Sequence, residues 1–205
     1  MGQTADSTNT NVAWLKPGQV EAMRDAAYEG RLGHRDEAIL ALLYDTGLRR
    51  AELAALDRPM LDLEDDLLRI PVRIQKDYPT DRTPDPVTFE LDRTGDLRTV
   101  RTIQSYLSTL EGDPEALFPS RTADRITGKG VNDVVKRAAD RADVRPFLYE
   151  GRGDPDDVSA HTLRHSVAYR MLREEDGNTL YDVRNRLRHA SILTTERNYD
   201  HFDTV

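Results

Sequence analysis

Cysteine is absent from the 205 residues, so neither a disulfide framework nor a thiolate metal site is available, a composition that fits a reducing compartment. No apolar run approaches the ~20 residues of a membrane helix, and the N-terminus lacks the apolar stretch of a signal peptide. A soluble cytoplasmic protein with no membrane partner is therefore expected. Lysine is scarce: only Lys16, Lys76, Lys129 and Lys136 stand among 29 basic residues, and the rest are arginine. Positive charge is outweighed by 37 acidic residues, for a net charge of −8, where a nucleic-acid binder is usually basic. The acid leans to aspartate. An acid-rich, lysine-poor surface suits concentrated salt, in which screening removes most self-repulsion, and points to a halophilic archaeal source; an ordinary acidic protein has the same composition. From Ser159 onward seven basic residues meet seven acidic ones, so the excess acid lies upstream and a local cationic face can exist.

What is present reads as one domain. Residues 1–12 are polar and without periodicity, which predicts a disordered leader, and 13–205 form the folded part. Apolar periodicity predicts a helix from Pro17 to Glu29, a second ending at Gly47, and a short third one over RRAELAAL. The pattern then alternates, predicting strands over Met60–Leu63, Leu67–Ile74 and Val87–Leu91, with Lys76 near a hairpin tip and a loop over Pro79–Pro86. Helical signals return over Leu97–Leu110, Gly130–Ala142, the stretch from His161 and Leu180–Arg188. The fold class is thus mainly α with a small antiparallel β-sheet. There is no internal repeat.

The chemistry concentrates between Ser159 and His201. His161, Arg164 and His165 fall at i, i+3 and i+4, one face of a helix, while Leu163, Val167 and Met171 recur on a neighbouring face. This predicts a helix with a core side and a chemical side. A histidine pair at i and i+4 also occurs in zinc sites, but Thr162 stands where a zinc metalloprotease helix carries its glutamate, and no cysteine adds a ligand. No metal is expected. His189 and Tyr199 follow, the latter delivered by a short segment.

Thr46-Gly47-Leu48-Arg49 with Glu52-Leu53, followed by His161-Thr162-Leu163-Arg164-His165, then His189, then Tyr199, resembles in order and separation the catalytic domain of the tyrosine recombinase (phage integrase) family. The resemblance covers about Trp14 to His201. It implies the DNA breaking-rejoining fold, double-stranded DNA as partner, self-assembly into a tetramer on DNA, and no cofactor. It further implies Arg49 and Arg164 as phosphate-binding arginines, Glu52 as the acid that orients Arg49, and His161 and His189 as proton donors. His165 becomes a supporting histidine, Tyr199 the nucleophile that forms a 3′-phosphotyrosine, and Lys76 the acid for the leaving 5′-oxygen.

The departures are specific. Leu187-Arg188-His189 replaces the family's usual Leu-Gly-His, and His189 to Tyr199 is ten positions (199 minus 189), one more than common. One residue turns a helix by about 100°, so a loop or bulge must absorb it. Tyr181 is the next candidate nucleophile but precedes His189. A type IB topoisomerase with a similar residue set, or a non-catalytic DNA-binding regulator on the same scaffold, remain as alternatives.

Overall fold

A computed structural model describes residues 12–75, 84–120, 123–199 and 202. Helix α1 (Pro17–Tyr28) begins with proline in its first turn, where the missing N–H costs nothing. Helix α2 (Gly33–Thr46) is apolar nearly all round, and α1, α4 (Thr99–Leu107) and α6 (Ala160–Arg173) pack against it, which makes it the centre of the core. Its end is sharp. Gly47 takes φ 64° and donates to the Leu43 carbonyl, and a Cβ there would meet Leu187 Cδ2 at 2.4 Å, so both conformation and space demand glycine. The short helix α3 (Arg50–Ala54) starts at once, and α5 (Gly128–Arg141) packs against α3 and α1.

Three antiparallel strands, β1 (Leu61–Asp62), β2 (Leu67–Ile70) and β3 (Val87–Glu90), lie in the order β1-β2-β3, with Leu68 opposite Phe89 and Ile70 opposite Val87. Leu68, Ile70 and Phe89 are buried, as period-2 alternation requires. The strands are shorter than the sequence pattern predicts. Met60 closes a 3-10 turn, and β2 stops at Ile70 because Pro71 has no N–H to continue the ladder. Helix α4 also starts late, at Thr99, because the Asp92 carboxylate holds the Leu97 and Arg98 N–H groups in a turn. Lys76 and part of the Pro79–Pro86 loop lie outside the described residues, as do residues 1–11 of the expected leader. Val12, assigned to that leader, is fully buried in the core.

Helix α7 (Leu180–Leu187) leads to α8 (Ile192–Tyr199), so the short segment that delivers Tyr199 is itself helical. Trp14 pairs with Phe147 as an antiparallel bridge and lies 4.9 Å from the Phe202 ring. One continuous apolar core joins all these elements. Among the described residues, no helix is long and apolar enough to cross a membrane.

Candidate active site

The site begins where α2 stops. Because Gly47 turns the chain, Arg49 sits extended just before α3 and Glu52 falls three residues on, where a carboxylate reaches back to the helix entrance. Glu52 Oε2 accepts the Arg49 backbone N–H at 2.8 Å, and Oε1 accepts Arg49 Nη1 at 3.0 Å. A second guanidinium, that of Arg188, donates to Oε2 at 2.6 Å and to Oε1 at 3.2 Å. Burial alone would raise the Glu52 pKa, but Arg188 and then Arg49 outweigh it and hold the carboxyl below its ordinary value. Arg188 sits at φ 53° and ψ 51°, a left-handed conformation that costs a non-glycine residue about 1–2 kcal/mol.

Helix α6 supplies the next three groups. Ser159 caps it, its Oγ accepting the Thr162 N–H while Thr162 Oγ1 accepts the Ser159 N–H. The face expected to be chemical turns inward: Arg164 and His165 are buried, and only His161 opens to solvent. The chemical side of α6 is therefore covered as well as its core side, since α2 packs on one flank of the helix and α7 on another. The Arg164 guanidinium donates to two backbone carbonyls, those of Gly47 and Leu187, and so ties the α2 stop to the end of α7. Burial, then the Arg49 charge, lower its pKa to about 9, which leaves it protonated at neutral pH. The His161 and His165 rings meet edge to face at 4.4 Å. Desolvation of its inner edge, then Arg164 and Arg49, lower the His161 pKa.

Arg188, at the end of α7, positions His189, whose N–H bonds the Arg184 carbonyl. His189 Nδ1 lies 2.9 Å from Thr195 Oγ1, and its ring stacks on that of Tyr199 at 6.0 Å. Burial and the nearby Arg164, Arg49 and His161 press the His189 pKa down to about 3, so it is neutral at pH 7. Tyr199 is 1% exposed. Its hydroxyl lies 2.8 Å from His165 Nδ1, and Phe202 stacks on its other side at 5.4 Å. Burial raises the phenol pKa, with the Arg164 charge pulling the other way.

Arg49, Glu52, His161, Arg164, His165, His189 and Tyr199, singled out by the sequence, are thus brought together from four elements. Lys76 lies outside the described residues. Tyr181, the other candidate nucleophile, is 63% exposed on the first turn of α7. Two contacts went unforeseen. Thr195 gave no signal, being one of two adjacent threonines in a polar stretch, and Arg188 stood out only as a bulky cation in place of glycine, without its tie to Glu52. Arg49, Arg164 and Arg188 against Glu52 leave a local excess of two positive charges (3 minus 1) in a chain of net −8. Among the described residues, no group of three or more His, Cys, Asp or Glu is placed to hold a metal ion.

The chain is 31% identical over 209 residues to the tyrosine recombinase XerC of Bifidobacterium longum (strain DJO10A), a match covering 98% of this chain and 52% of that protein. It is 34% identical over 174 residues to XerC of Herpetosiphon aurantiacus, covering 82% and 48%. The chain spans about half the length of these curated relatives. Its fold matches the crystal structure of XerA recombinase with a TM-score of 0.69 at 21% identity, over 93% of this chain and 63% of that one. XerH site-specific recombinase bound to a palindromic difH substrate matches with a TM-score of 0.65 at 20% identity, over 98% and 52%. The phage integrase family itself matches residues 13–204, nearly the whole sequence, and the chain belongs to that family.

Proposed function

We propose that this chain is the catalytic part of a site-specific DNA recombinase that cuts and rejoins strands through Tyr199. The observation that carries this reading is the Tyr199 hydroxyl, held 2.8 Å from His165 Nδ1 within a cluster of arginines. A phenol has an ordinary pKa near 10, so its attack needs a base and a positive field. With His165 in the tautomer protonated on Nε2, Nδ1 takes the phenolic proton as the Tyr199 oxygen bonds to phosphorus. The bond from phosphorus to the 5′-oxygen breaks, and that oxygen leaves with a proton. The product is a 3′-phosphotyrosine and a free 5′-hydroxyl. Since one phosphoester replaces another, the bond energy is retained and neither ATP nor a metal is needed.

The arginines supply the charge. Arg164 has five N–H donors and gives two to carbonyls, which leaves three for phosphate oxygens. Arg49, partly exposed, reaches the phosphate from the solvent side, next to His161. With the Thr195 hydroxyl as donor to His189 Nδ1, the ring proton sits on Nε2 and His189 donates to an oxygen as a neutral imidazole. The family resemblance gives Lys76 the leaving-group proton. In the same reading the partner is double-stranded DNA, the working assembly is a tetramer on it, and the compartment is the cytoplasm.

Incubation of the chain with a pool of nicked duplexes carrying a randomised central region tests the reading. A protein–DNA adduct that survives denaturing electrophoresis is expected, unaffected by excess chelator and absent from Tyr199→Phe. No adduct from the unaltered chain would overturn the proposal, and an adduct persisting in Tyr199→Phe would move the nucleophile to another residue.

A further inference from the structure

We infer that Arg188 is a positioning residue that releases Arg49 for the substrate phosphate by occupying the charge of Glu52. The inference rests on the strand-transfer reading of the site. Glu52 is a single carboxylate with 1% of its surface exposed, and it accepts from four donors: the Arg49 backbone N–H, the Arg49 side chain and two from Arg188. The two guanidinium groups share that one negative charge unequally. Arg188 meets both oxygens and its side chain is 6% exposed, whereas the Arg49 side chain meets one oxygen and is 27% exposed.

The charge balance follows. Without Arg188, Glu52 would neutralise Arg49, and the pair would present no net charge to a phosphate. With Arg188 the trio keeps one positive charge (2 minus 1), and it lies on the outer, accessible member. In a chain of net −8 approaching a polyanion, one uncancelled charge at the reacting phosphate weighs heavily. Behind Arg188 the Phe89 ring of β3 lies 5.5 Å from its guanidinium carbon, a cation–π contact that backs the group from the sheet side.

The backbone is held as well. Among the described residues four non-glycine positions take positive φ, Asp66, Arg98, Asp143 and Arg188, and of these Arg188, at φ 53°, is the one in the site. Here the surroundings are the ion pair to Glu52. The same residue is flanked by Leu187, whose carbonyl accepts from Arg164, and by His189. One side chain therefore links the first turn of α3 to the junction that places two further members of the site.

The test compares rates of adduct formation on the nicked-duplex pool, with melting temperature as the control for folding. Arg188→Gly relieves the left-handed strain, which offsets part of the lost ion pair, and adduct formation is expected to slow by roughly tenfold or more at a temperature where the melting control shows the variant folded. Arg188→Met, close in size but neutral, slows it alike, and Arg188→Lys, which restores the charge, is faster than both. Glu52→Gln provides the decisive arm. It slows the unaltered chain but costs less in the Arg188→Gly background, because no carboxylate is then left to cancel Arg49. Equal cost of Glu52→Gln in both backgrounds, or Arg188→Lys no faster than Arg188→Met, would reduce Arg188 to a structural tie and overturn the inference. An Arg188→Gly chain as fast as the unaltered one overturns it alone, while no adduct from the unaltered chain overturns the strand-transfer reading and this inference with it.

Discussion

Helix α6 and the arm formed by α7 and α8 face each other across Tyr199, and they are held by different means. From Ala160 to Met171 nearly every side chain of α6 is buried, including Arg164 and His165, whereas α8 turns only Thr195 and Tyr199 inward and leaves Leu193 58% exposed. The fixed wall carries the groups whose positions must not change, a guanidinium pinned by two carbonyls and a histidine wedged beside it. The arm carries Tyr199, the proposed nucleophile, on a single i, i+4 stripe with Thr195. Stability and chemical reach are thus assigned to different elements, in line with the general finding that elements which move come from the less packed parts of a fold.

Substitutions on either side sharpen that contrast. The largest expected effect is on chemistry: His165→Ala removes the group that meets the Tyr199 hydroxyl and should slow adduct formation by about 100-fold or more, the range of a lost general base. A slowing no greater than that of a remote surface substitution, in single-turnover assays, would break the assignment. On the same wall, Arg164→Ala leaves the Gly47 and Leu187 carbonyls unpaired in the interior and should lower stability by about 2–6 kcal/mol, read from denaturant melts.

Acid should act on the arm. The folded-state pKa of His189 is depressed, so the unfolded chain binds a proton that the folded one refuses. Its contribution to stability is complete above the unfolded value of about 6.5 and is lost progressively as pH falls toward about 3. Melting temperatures taken across that window should fall, and less steeply in His189→Asn; identical slopes would exclude His189 as the source. The smallest expected effect is that of Thr195→Val, which deletes one partly buried hydrogen bond to His189 for about 1 kcal/mol. A cost of several kcal/mol would mean that the arm is as firmly built as α6.

Much of this was readable from local pattern. The i, i+3, i+4 spacing of His161, Arg164 and His165 placed them together on one helix, and Gly47 marked the turn that presents Arg49, because both depend on neighbours within a helical turn or two. The inward aim of that helical face was not readable, since it depends on α2 and α7 covering α6. The Glu52 to Arg188 pair and the carbonyls that hold Arg164 join residues far apart in the chain, for which no short pattern exists. Helix α8 is not legible in the sequence because eight residues with only two buried positions carry too little periodicity. The early end of β2 at Pro71 was legible in principle, and the alternation of the flanking residues obscured it.

The single tryptophan of the chain has a use that its place in the core did not announce. Trp14 lies 4.9 Å from Phe202, which stacks in turn on Tyr199, so the only indole in the protein adjoins the aromatic neighbour of Tyr199. Any departure of Tyr199 from His165 that carries Phe202 with it replaces ring contact by solvent beside that indole. Emission from Trp14 therefore serves as a built-in optical gauge of whether the arm is docked, readable in the unlabelled protein as DNA is added.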